Sequence, residues 1–70
     1  MGAEWFPDPN SPFQEKATVS GYALYVRHAM PGFTTWTVFS ASGRLVRVGW
    51  APTSQQAKEQ AVAAALKGVR

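Results

Sequence analysis

The 70-residue chain has no cysteine and a single histidine, His28. Without cysteine there are no disulfides and no thiolate metal ligands, and one histidine cannot form a His-pair metal centre. Acidic residues are scarce: Glu4, Asp8, Glu15 and Glu59 are all there are. Catalysis built on a nucleophile with its base, or on two opposed carboxylates, has little to draw on. The expectation is therefore a non-enzymatic protein with no catalytic residues, no cofactor and no metal. His28 sits at the end of an apparent strand with no acid near it in sequence, which reads as a rim residue rather than a general base. "SASGR" has a glycine but lacks the glycine-rich, lysine-ended pattern of a phosphate loop.

No apolar run approaches the roughly 20 residues of a membrane-spanning helix. The N-terminal stretch carries Glu4 and Asp8 and is broken by Pro7, Pro9 and Pro12, unlike a secretory leader. A soluble, cytoplasmic protein with no membrane partner is expected, and the missing cysteines suit a reducing compartment. At this length the chain makes one domain with a thin core.

Charge is present but uneven. Residues 1–16 set Lys16 against Glu4, Asp8 and Glu15, a net −2, whereas residues 17–70 set six basic residues against Glu59 alone, a net +5. A basic body favours an anionic partner, although the same charge also serves solubility.

The first segment, "MGAEWFPDPNSPFQEKATVS", is expected to be an extended arm over residues 1–20, because its prolines oppose both helix and central strand. Trp5, Phe6 and Phe13 are out of place in a solvated tail. They either dock on the domain or contact a partner; a plain disordered leader is the alternative. Residues 21–70 read as a β-β-β-α domain. "GYALYVRHAM" alternates with period two, Pro31–Gly32 marks a turn, "TTWTVFS" is rich in β-branched and aromatic residues, and Ser42–Gly43 closes a hairpin into "RLVRVGW". Thr53 and Gln56 form a capping box ahead of "SQQAKEQAVAAALKG", which ends at Gly68. Its apolar stripe is Ala57, Ala61, Val62, Ala65, Leu66 and Val69. The expected class is α+β, a three-stranded antiparallel sheet on one C-terminal helix.

One helix covers one face of such a sheet. Alternation assigns Tyr22, Leu24, Val26, Trp36, Val38, Val46, Val48 and Trp50 to the covered face. It leaves Tyr25, Arg27, Thr35, Thr37, Phe39, Leu45 and Arg47 on the free one, and a one-residue bulge in any strand would exchange that strand's two sets. The free set mixes arginine, threonine and rings with no acid, a chemistry suited to nucleic acid. The same residue types also fit the centre of a protein interface, and the acidic arm is a third candidate to cover the face.

Trp36, Gly43, Gly49, Thr53, Ala57 and Ala61 give residues 21–66 a pattern that resembles small β-β-β-α DNA-binding domains, such as integrase arm-binding domains and plant ethylene-response DNA-binding domains. The resemblance implies that the sheet enters the major groove, with Arg27, Arg44 and Arg47 as contacting side chains. "VGWAPTSQQAKEQAVAAALK" is also similar to peptidoglycan-binding repeat domains, which have two helices where this chain has space for one. The expected function is a small nucleic-acid-binding or regulatory module. Its binding residues would be Tyr25, Arg27, Thr35, Thr37, Phe39, Arg44 and Arg47, with arm contacts from Trp5, Phe6 and Phe13. The alternative is a protein-interaction module, an inhibitor or adaptor of the kind phages and mobile elements encode. The partner is accordingly DNA or another protein, and the chain a monomer or homodimer.

Overall fold

Four hairpin turns shape the chain. In the computed structural model, which describes residues 4–68, they link β1 (Phe6–Asp8), β2 (Ser11–Val19), β3 (Tyr22–Met30), β4 (Phe33–Phe39) and β5 (Leu45–Ala51) into one antiparallel sheet. Strand order follows chain order throughout. A single helix, α1 (Ser54–Gly68), then crosses one face. The α+β class and the C-terminal helix are as expected, but the sheet has five strands rather than three.

The two additional strands come from residues the prolines had marked as an arm. Pro7 is in β1, an edge strand, where a missing amide can be tolerated. Pro9 sits in the β1–β2 turn, which is tightened by the Asn10 amide donating to Asp8 Oδ1 at 2.9 Å. Pro12 falls in the irregular stretch between the Pro7–Glu15 and Asp8–Ser11 pairs, ahead of the ladder to β3 that starts at Gln14. Each proline thus occupies a place where no ladder bond depends on it. At the next turn Ser20 and Gly21 both take positive φ (50° and 84°), the mirror-image turn whose twist suits a two-residue hairpin.

The core lies between the sheet and the helix. Leu24, Val26, Trp36 and Val38 point up from β3 and β4, and Ala57, Ala61, Ala64 and Ala65 come down from α1. The small helix residues let the two layers approach closely, as the alanine-rich sequence suggests. The stripe is rotated slightly from expectation: Ala64 joins it, Val62 is partly buried, and Leu66 is exposed. Val69 lies outside the described residues. Thr53 caps α1 as expected, its Oγ1 accepting from the Gln56 amide at 3.2 Å and its carbonyl from the Ala57 amide at 3.0 Å.

The strand β5 departs most from the expected faces. Val38 pairs with Arg47, Trp36 with Gly49 and Thr34 with Ala51, so Arg47, Gly49 and Ala51 face the helix. Val48 and Trp50 point the other way, and Val46 is exposed. Packing around Trp36 is the physical reason. Its indole lies against Gly49, where an added Cβ would be 2.5 Å from the ring. Only a residue without a side chain fits there, so its apolar neighbours Val48 and Trp50 turn outward. A register shift then brings Leu45 opposite Phe39, with Arg47 still opposite Val38. Leu45 keeps its expected face; Arg47 does not.

Candidate functional site

Residues directly opposite on neighbouring strands share a face, so the register writes out the uncovered side of the sheet in rows. One row runs Phe6, Lys16, Tyr25, Thr37, Val48. The next runs Gln14, Arg27, Thr35, Trp50, and a third runs Thr18, Ala23, Phe39, Leu45. Phe33 completes the set by packing on Trp50, ring centroids 5.4 Å apart and planes inclined by 32°. Tyr25 and Phe39 meet edge-on at 5.7 Å and 81°. Two ring pairs therefore flank a centre of short side chains, with Lys16 between Phe6 and Tyr25 in one row and Arg27 beside Thr35 in the next. A shallow groove of about 640 Å³ runs from Gln14 and Ala23 past Tyr25, Thr37 and Phe39.

Five of the seven sequence-derived binding residues, Tyr25, Arg27, Thr35, Thr37 and Phe39, come together on this face. Arg44 stands at the end of the β4–β5 turn, where its amide donates to Ser40 Oγ at 3.2 Å. Arg47 is on the opposite side, in a recess with Trp36, Gln60 and Lys67. What sequence reading missed is Phe6, Lys16, Phe33, Val48 and Trp50 as members of the open face. Trp50 is the largest of these and is 56 % exposed. The face is richer in rings and poorer in arginine than alternation alone suggests.

The arm aromatics go three ways. Phe6 joins the open face. Trp5 packs against the core on the helix side, with Lys58 Nζ 5.6 Å from its ring centroid. Phe13 borders a cleft near the start of α1.

Electrostatically, the acids are mostly occupied. Glu15 accepts from Lys58 Nζ at 3.0 Å, tying β2 to α1, and lies 3.7 Å from His28 Nε2. His28 thus has an acidic neighbour that is distant in sequence and close across the sheet. Asp8 accepts from Gln14 Nε2 at 2.9 Å. Among the described residues neither Lys16, Arg27, Arg44 nor Arg47 has an acid within ion-pair distance. No group of three or more His, Asp or Glu among the described residues is placed to hold a metal ion, and no helix among them is long and apolar enough to cross a membrane.

No family model, no curated protein and no solved structure matches the chain. The site's own geometry carries the functional reading.

Proposed function

We propose that the protein is a small, non-enzymatic binding module whose open sheet face takes single-stranded nucleic acid. The observation that carries this is the placement of two ring pairs on one uncovered face with Lys16 and Arg27 set among them. Rings accept the faces of unstacked bases whatever their identity, and unpaired cations draw the phosphates. The loss of Arg47 from this face and the gain of Trp50 and Phe33 favour stacking over the reading of base edges in a duplex groove. A net charge of +3 acts in the same direction. The sheet-led docking of the DNA-binding domains that the sequence resembles is compatible with it, and a regulatory, cytoplasmic role belongs to the same proposal.

The test is a binding titration with a mixed-sequence single strand and the duplex of that sequence, using the native chain and Trp50→Ala. Trp50 is exposed, so its removal leaves the core intact. The single strand should bind more tightly than the duplex, and Trp50→Ala should weaken it about ten-fold, the loss of one stacked base. Equal affinity for duplex with no effect at Trp50 would overturn the stacking mode.

A second reading has its own observation. Leu45 and Val48 add aliphatic surface to the face, and β5 leaves one edge of the sheet unpaired. Self-association or capture of a protein partner would use both. A concentration-dependent rise in mass, with no binding of either nucleic acid, would select it.

A further inference from the structure

The sheet has two edges, and they are not alike. β1 is three residues long and holds Pro7 and Asp8, features that discourage another strand from joining. β5 is seven residues long, has no proline and carries one charge, Arg47. Among the described residues no strand pairs with its outer side. The helix leaves it bare as well: from Leu45 to Trp50 every residue is exposed except Gly49, which is partly buried. Leu45, Val46, Val48 and Trp50 are the large apolar members of this exposed run. A long apolar edge of this kind is a template for a further strand.

The sequence of β5 decides which strand. An antiparallel copy of β5 related by a two-fold axis has only a few registers open to it, because residues on the same face must meet. Centred on Arg47, the two arginines would stand directly opposite, and like charges oppose that pairing. Centred on Gly49, two glycines meet and the axis has no side chains to pack. Centred on Val48, Val48 meets its own copy and Arg47 meets Gly49 of the second copy. This last register is complementary in both size and charge. Gly49 lies against the Trp36 indole, where an added Cβ would be 2.5 Å from the ring. Arg47 and Trp36 both belong to the helix side of the sheet. The guanidinium of one copy therefore comes alongside the indole of the other, a cation meeting an aromatic ring. Within its own chain Arg47 has no acid in ion-pair distance among the described residues.

We propose that the protein forms a symmetric dimer by antiparallel pairing of β5 with β5 of a second copy, centred on Val48. The proposal deepens the self-association reading and rests on its unpaired edge. The two sheets become one continuous sheet with both helices on the same side. Both open faces stay uncovered, so the dimer stands or falls apart from nucleic-acid binding.

Sedimentation of the full chain from about 10 µM to about 1 mM covers the range in which a small interface dissociates. The mass should rise from one copy to two and stop there. Val48 is 62 % exposed, so Val48→Lys and Val48→Glu leave the core alone. Each variant by itself sets like charges across the axis and should weaken the dimer more than about ten-fold. An equimolar mixture sets Lys against Glu and should restore a dimer containing one of each, which also shows that both variants fold. In the native chain, backbone amide exchange within β5 should slow as concentration rises. A native chain that stays monomeric, or amide exchange in β5 that ignores concentration, would overturn the dimer. Association that survives in both single variants, or growth beyond two copies, would reject β5 pairing at Val48 while leaving the broader self-association reading in place.

Discussion

Trp36 and Gly49 depend on each other. The indole is 7 % exposed, lies against Gly49, and donates from Nε1 to Gln60 Oε1 at 2.9 Å. It therefore holds strand, neighbouring strand and helix together from one position. Gly49→Ala would set a methyl 2.5 Å from a ring that alanines of α1 prevent from lifting. The expected cost is about 2 kcal/mol of overpacking, read as a shifted midpoint in denaturant unfolding. Sequence periodicity identified Trp36 as core but could not show this contact, because it joins residues on two strands by side-chain shape. The same blindness misplaced Val48 and Trp50. Alternation marks two sets of side chains, and hydrophobicity usually decides which is inside. Here steric room decided instead, and the set containing Gly49 and Ala51 went in.

At the scale of elements, local signals were well expressed in the sequence. The Thr53 cap, the Pro31–Gly32 turn with Gly32 at φ 76°, and the Ser42–Gly43 turn with Gly43 at φ 89° are all where residue types suggested. Thr53→Ala should therefore destabilise the chain by about 1 kcal/mol, measurable as a lower thermal midpoint, through loss of the bond to the Gln56 amide. The arm was less legible. Its prolines argued against strands, whereas Ser20–Gly21 carries the same dipeptide as Ser42–Gly43 and closes a hairpin of its own. The turn signal was there and the prolines outweighed it. What resolves the conflict is position: an edge strand, a turn and an irregular register each leave a proline without a ladder bond to break. A deletion of residues 1–16 therefore removes β1 and most of β2, not a detachable cover.

Across the whole molecule, charge and shape separate into two sides. The open face carries the two ring pairs with Lys16 and Arg27, while Arg47 lies beside Lys67 of the helix on the other side. If single strands bind the open face, replacing both Lys16 and Arg27 by alanine should reduce the slope of log affinity against log salt by about 1.4, near 0.7 for each lost phosphate contact. The matching change at Arg47 should leave the slope alone, and a slope that responds equally to Arg47 would place the nucleic acid elsewhere.

Every strand pairs with the one made just before it, so the sheet can zip up as the chain leaves the ribosome. The helix that closes the core comes after all five strands. Until it has been synthesised, Leu24, Val26 and Val38 are as bare as Trp50, and the meander has two adhesive sides instead of one. A chain stopped before Ser54 would therefore show chaperones and proteases an oily surface that the folded sheet and helix hide beneath a lid of alanines.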